Sequence, residues 1–408
     1  MLLNSLDEVP WSTLDHAYGK ADDVPGLIRA LQSSETSSDA LHELFGNIWH
    51  QGTVYQATSF AVPFLVELTV NESTPNRVGI LNLLEAISHG TSYLDVHEPL
   101  FREMKVEAFG DPGTPKYENA RSQELVWVEK SRTAVLSAFD HFVNLTKRTD
   151  DVAYAALAVL VRLNIRKQLV STIIHKLRSS ETRDLYRAGV LLLLGQMQIT
   201  KVQIWITLSE SAQFGARLER LAAGLVACRF ESGELPGSLR DAVIDAMCIC
   251  DVEWLFAKLP WDAVDCVDTD LLSQRPKSEL DFAITTLFNR IERDDSVRES
   301  IHLLLGLLFP RANRGGMFTA KDQFTTDQLR LLFVLLDQFD NHRLHLNVSL
   351  MQYGLPESRR NLRCMITGVA YTKPDDLYPE IGFAENPLRP RRIGRLKTGD
   401  RIHSRYFD

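Results

Sequence analysis

The sequence predicts an all-α chain, an α-solenoid built from repeated helical hairpins. Three observations predict it. Apolar residues recur at three- and four-residue spacing along most of the chain. Strand-like alternation is missing. Three similar segments begin at Tyr154, Arg187 and Arg220, each 33 residues after the last, a period that suits one two-helix unit.

The elements follow in order. Leu41, Leu44, Phe45, Ile48 and Trp49 form one apolar helical face, with Ser37, Ser38 and Asp39 ahead of it as N-cap candidates. That helix is expected to close on Trp49, and a tight turn at Gly52 then leads into a second apolar helix. Phe60, Phe64, Leu65 and Leu68 define its face, with a kink expected at Pro63. A third helix spans Arg77 to Ser88, with His89-Gly90 as its C-cap. The segment Val106–Asn119 carries Gly110, Pro112, Gly113 and Pro115, and reads as an irregular insertion near 106–119. A long helix then runs from Arg121 to about Lys147, where Lys147 and Arg148 complement its C-terminal dipole.

The repeats are plainest in Tyr154-Ala-Ala-Leu-Ala-Val-Leu-Val, Arg187-Ala-Gly-Val-Leu-Leu-Leu-Leu-Gly and Arg220-Leu-Ala-Ala-Gly-Leu-Val-Ala. Small residues set beside leucines permit close helix–helix approach. Beyond Leu308, Pro310 to Gly316 reads as a loop, and further helices start near Thr326, Arg343 and Pro356. The domain expectation is therefore a solenoid over 1–308, additional helices over 309–388 and an irregular basic tail over 389–408. Seven basic residues (Arg389, Arg391, Arg392, Arg395, Lys397, Arg401 and Arg405) face two acidic ones in that tail. Removing its net +5 from the total of −8 leaves about −13 on the rest, an electrostatic motive for the tail to fold back onto the solenoid, the alternative being that it docks an acidic partner or RNA.

Composition narrows the function classes. The 408 residues are 45% hydrophobic and 24% charged, ample for a sizeable core. A net charge of −8 argues against nucleic-acid binding, which favours a basic surface. Five cysteines at unpatterned spacing read as reduced thiols in a cytoplasmic protein. Met1–Pro10 lacks a signal-peptide pattern, and the apolar runs Ala153–Leu163 and Ala188–Met197 are too short to span a bilayer.

Chemistry-bearing motifs are sparse. His342/His345 and Cys248/Cys250 each lack a second pair at zinc-like spacing, so no metal or other cofactor is expected. No Gly-x-Ser-x-Gly elbow is present, and Gly315-Gly316 is not followed by the Lys-Ser/Thr of a phosphate loop. The pairs Asp22-Asp23, Asp294-Asp295 and Asp375-Asp376 fit loops and helix starts better than acid–base catalysis.

The best surface candidates are Trp11, His16, Tyr18, Trp49, His50, Gln51, Tyr55 and Thr58, aromatic and adaptable polar groups of the kind that anchor interfaces. The competing and favoured reading is that Trp11, Trp49 and Tyr55 seal the first hairpin and cap the end of the array. Tyr154, Arg162, Tyr186, Arg187, Arg217 and Arg220 are further candidates on or beside the repeat helices, each Arg doubling as an ordinary solvated charge.

The repeat pattern resembles HEAT-repeat proteins of the armadillo type as far as about Leu308. More narrowly, Trp11-x4-His16-Ala-Tyr-Gly19, Val24-Pro25 and His50-Gln-Gly-Thr-Val-Tyr55 through Ala61-Val-Pro-Phe-Leu65 resemble the opening of bacterial HEAT-domain proteins, over roughly the first 90 residues. The resemblance implies a scaffold and a binding mode, with no assigned chemistry. The leading expectation is a non-enzymatic protein that binds another protein on its concave face, with toxin immunity, suggested by the acidic charge, or scaffolding as its setting. The enzymatic alternative is a helical-repeat enzyme, an alkylated-DNA glycosylase or a chromophore lyase.

Overall fold

In the computed structural model, the described residues are 3–97, 110–163, 173–176, 183–197, 199–249, 255–256, 258–261, 269–293, 297–309, 324–340, 350, 353, 355–356 and 359–367. Most of them are helical. The chain divides into two compact units. The first comprises Met1–Thr207, Ala216–Ala222 and Phe256–Cys266, and the second Leu208–Gly215, Ala223–Leu255 and Val267–Asp408.

The first unit opens with a β-hairpin, β1 (Asp15–His16) and β2 (Gly19–Lys20), followed by α1 (Val24–Ala30) and α2 (Ser37–Asn47). A second hairpin, β3 (Trp49–His50) and β4 (Thr53–Val54), precedes α3 (Thr58–Val70) and α4 (Arg77–Ser88). Both hairpins depart from the all-helical expectation. The helix before Gly52 ends at Asn47, so Trp49 belongs to a strand. Gln51 (φ 48°) and Gly52 (φ 93°) form the two-residue loop, and positive φ at both central positions defines the turn that matches strand twist.

Ser37, Ser38 and Asp39 form the first turn of α2, whose N-cap is Thr36. The α3 helix runs through Pro63 to Val70. Ala61, Val62, Phe64, Leu65 and Leu68 are buried, whereas Phe60 is exposed and lies off the core face. Gly90 does not cap α4 in a left-handed conformation. A Cβ there would stand 2.5 Å from Val54 Cγ1, so its lack of a side chain admits β4. Thr91 bridges Thr53 in parallel and extends the second hairpin, with Val54 N–H donating to the Thr91 carbonyl at 3.1 Å.

The helix α5 (Pro115–Ser137) starts inside the expected insertion. Thr114 is its N-cap, Pro115 fills the first helical position, and Gly110 and Gly113 take positive φ just ahead. The expected single helix is two, because the chain breaks at Ala138 before α6 (Phe139–Leu145). The helices α7 (Asp151–Arg162), α8 (Asp184–Gln196), α9 (Lys201–Phe214) and α10 (Arg217–Phe230) follow. The three containing the similar segments start at Asp151, Asp184 and Arg217, so the 33-residue period holds at the level of helix starts.

That period also repeats a contact. Tyr186, third in α8, donates its hydroxyl hydrogen to Asp151, first in α7. Glu219, third in α10, donates its backbone N–H to Asp184, first in α8, at 3.3 Å. Arg162 joins α7 to α4 through a half-buried pair with Glu85 at 2.5 Å.

In the second unit, α11 (Gly237–Cys248) packs on α12 (Lys277–Glu292), which packs on α13 (Val297–Leu308). The helix α14 (Thr326–Asp340) starts at the predicted residue and lies against α13 and α15 (Arg359–Thr367). Leu287, Phe288, Ile301, Leu304, Leu305, Leu331, Leu335 and Leu362 form its core. Arg275 and Glu279 pair within it at 2.9 Å.

Among the described residues no helix is long and apolar enough to cross a membrane, and no group of His, Cys, Asp or Glu is arranged to hold a metal ion. The pair His342/His345, Cys250, the loop Pro310–Gly316, Asp294-Asp295, Asp375-Asp376, the helix expected near Arg343 and the basic tail 389–408 lie outside the described residues.

Candidate functional site

The two hairpins bring their tips together at the N-terminal end of the chain. In the first, Ala17-Tyr18 forms the turn and Gly19 takes φ 127°. Ala17 N–H donates to the Asn47 carbonyl at 2.9 Å, which fixes this turn over the end of α2. Ala57 N–H donates to the Asp15 carbonyl at 3.0 Å and Asp15 N–H to Gln56 Oε1 at 3.2 Å, tying the first hairpin to the chain that leaves the second.

At the meeting point, Tyr18 and His50 touch edge to face, with ring centroids 5.4 Å apart and the Tyr18 hydroxyl 3.4 Å from His50 Nδ1. Tyr18 is 70% exposed, although its ring lies over Gly46 of α2. Its solvent exposure is not the accident of a floppy loop end, because both neighbouring backbones are pinned. Gln51 is exposed at the tip of the second turn, and Trp49 is half-buried against Phe45 at 5.8 Å. The Trp49 indole N–H is buried and finds no acceptor among the described residues.

Behind this rim, polar side chains serve the backbone. Thr58 is fully buried. It donates to the Ile48 carbonyl at 2.5 Å and accepts from Tyr55 N–H at 2.9 Å. Thr53 Oγ1 donates to the His50 carbonyl at 2.7 Å and lies 2.8 Å from the Tyr55 hydroxyl. Burial pushes the Tyr55 phenol up from its ordinary value. Glu124 of α5 accepts from Leu94 N–H at 2.9 Å, and burial likewise raises its carboxyl.

His16 resembles half of a catalytic dyad, with Nε2 3.0 Å from Asp23 Oδ1. Its Nδ1 accepts from Tyr18 N–H at 3.0 Å, so the ring carries its proton on Nε2 and donates it to Asp23. With both nitrogens committed it has no lone pair for a substrate proton. Asp23 also accepts from Asn47 Nδ2 at 2.5 Å. The trio locks the first hairpin onto α1 and α2.

The sequence candidates thus separate. Tyr18 and His50 meet at the hairpin tips, with Gln51 exposed in the adjoining turn; Trp49 and Tyr55 are half-buried residues of the same hairpin segment. Trp11 is buried, with its indole N–H on the Leu6 carbonyl at 2.8 Å and its ring 6.5 Å from Phe64; with His16 and Thr58 it holds the scaffold.

The repeat candidates belong elsewhere. Tyr154 and Tyr186 are buried against each other at 4.4 Å, and Trp261 stacks beyond Tyr154 at 6.4 Å. Burial and the Asp151 carboxylate raise the Tyr186 phenol to about 12. Arg162 is engaged with Glu85, and Arg187 lies 3.8 Å from Glu219, whereas Arg217 and Arg220 are exposed. Sequence reading missed Phe45 and Gly46, the residues of α2 that carry Trp49 and Tyr18. Phe45 stands in the α2 apolar stripe and Gly46 does not, and pairing them with Trp49 and Tyr18 requires knowing where the hairpins pack.

The rim presents aromatic rings, an imidazole and an amide, and among the described residues no group of His, Cys, Asp or Glu is arranged to hold a metal ion. Its chemistry is aromatic contact and hydrogen bonding. Compared with models of protein families, with curated proteins and with solved structures, the chain gives no match.

Proposed function

We propose that this protein acts by binding another protein, with the rim of Tyr18, Trp49, His50, Gln51 and Tyr55 as an anchoring surface. The observation that carries this reading is Tyr18, a large aromatic held 70% exposed on a braced turn against His50. Rigid aromatic groups provide contact area at low entropic cost, which is why Tyr and Trp recur among interface anchors.

A HEAT-like solenoid is the architecture we assign to the scaffold. The 33-residue spacing of helix starts and the recurring contact to Asp151 and Asp184 support it. The activity is non-enzymatic in this reading. The protein resides in the cytoplasm in this reading, in keeping with Cys228 and Cys364, which form no disulfide among the described residues.

Affinity capture from the native lysate with the wild-type chain and with Tyr18→Ala tests the reading. A protein recovered in stoichiometric amount by the wild type and lost with Tyr18→Ala supports it. Recovery of no protein, or equal recovery by both, refutes the rim as the anchor.

A further inference from the structure

The charge around the rim says what kind of partner it takes. Residues 3–97 hold three basic residues, Lys20, Arg29 and Arg77, against twelve acidic ones. Their net −9 exceeds in magnitude the −8 of the entire chain. All three cations are already committed. Lys20 pairs with Asp15 at 2.8 Å and Arg29 with Asp7 at 2.5 Å, while Arg77 is buried with two donors on the Thr69 carbonyl at 3.0 and 2.8 Å.

Asp39 and Glu43 are exposed on α2 and have no ion-pair partner among the described residues; the helix carries no Lys or Arg. Asp39, Glu43 and Gly46 follow at i, i+4 and i+7, so they share one face, each about one turn from the next. Tyr18 covers that face at Gly46. Two free carboxylates therefore lead along α2 to an exposed phenol ring. The last turn of α2 adds the partial negative charge of a helix C-terminus beneath the same ring.

Each of these features favours a cation. A guanidinium is planar, stacks on an aromatic face and pairs with carboxylates through a rigid fork, so it suits this arrangement better than an ammonium. Resting on the protein-binding reading above, we infer that the partner segment docked at the rim is basic. One arginine lies over Tyr18 and its neighbours meet Glu43 and Asp39. The excess negative field of residues 3–97 steers such a segment toward the surface.

The test uses the full chain and a fluorescein-labelled peptide of alternating arginine and serine, followed by anisotropy at about 0.15 M salt. A glutamate–serine peptide serves as control. The expected result is saturable binding of the arginine peptide alone, weakened about fivefold by Tyr18→Ala and to a similar degree by Asp39→Asn/Glu43→Gln. All these side chains are exposed, so circular dichroism and melting should match the wild type.

Absence of arginine-peptide binding, or binding that either variant leaves unchanged, overturns the inference. A partner captured through Tyr18 by the wild type, together with a failed peptide, would leave the protein-binding reading standing and remove only its basic chemistry.

Discussion

Replacing Thr58 with valine probes the device that holds the second hairpin on α3. Valine is nearly isosteric, so the change deletes two hydrogen bonds and leaves the packing volume intact. One is the 2.5 Å bond to the Ile48 carbonyl, which lies in a fully buried residue; the other is the 2.9 Å bond from Tyr55 N–H, which is only partly buried. An orphaned buried carbonyl costs about 1–3 kcal/mol, and a partly wetted amide about 1 kcal/mol or less. The sum is about 1–4 kcal/mol. Thr58→Ser keeps both bonds and loses one buried methyl, about 1 kcal/mol. Because the chain comprises two units, a global melt would mix their transitions, so hydrogen exchange of the Tyr55 amide is the sharper readout. Thr58→Val should speed that exchange by about tenfold or more, well beyond the effect of Thr58→Ser. Equal exchange in the two variants, or a Thr58→Val stability within about 0.5 kcal/mol of wild type, would refute the argument.

Other residues give equally definite expectations. Gln51 at φ 48° suits asparagine better than glutamine, so Gln51→Asn should stabilise by about 0.5 kcal/mol in urea unfolding, whereas Gly52→Val, forced to φ 93°, should lose about 1–2 kcal/mol or more. A Cβ on Gly189 would stand 2.6 Å from Trp261 Cζ2 and 2.7 Å from Leu259 Cδ2, so Gly189→Ala should destabilise by about 1–3 kcal/mol and alter Trp fluorescence. His141 is held below its ordinary 6.5 by burial and then by Arg77, while its Nε2 lies 3.0 Å from Thr69 Oγ1. The folded state therefore resists a proton that the unfolded chain accepts, so this stabilisation is complete above pH 6.5 and lost as the pH falls below it toward the depressed folded value. Stability curves of wild type and His141→Gln should diverge in slope only in that acid window, and parallel curves would count against it.

The three helices that carry the similar segments were legible because their central turns are buried nearly all round in small and branched residues, and Gly189 and Gly224 mark close approaches. The two hairpins were not. Strands of two residues are too short to show alternation, and the Gln51-Gly52 signal reads as a link between helices because a helical face precedes it. The Thr114-Pro115 start of α5 lay in plain sight as an N-cap and N1 pair, but the surrounding glycines and prolines outweighed it. The break at Ala138 carries neither Gly nor Pro, so nothing local announces it. Of the rim, the residue types were readable; which of them face solvent was decided by the hairpins packing on α2.

The most direct test places a photo-crosslinking amino acid at position 18, with Val70, also exposed on this unit, as the control position. Irradiation in the native cell should give a discrete protein adduct from position 18 that is missing from position 70. Adducts equally frequent at both positions, or none at position 18, would contradict the account of the hairpin rim as a docking surface.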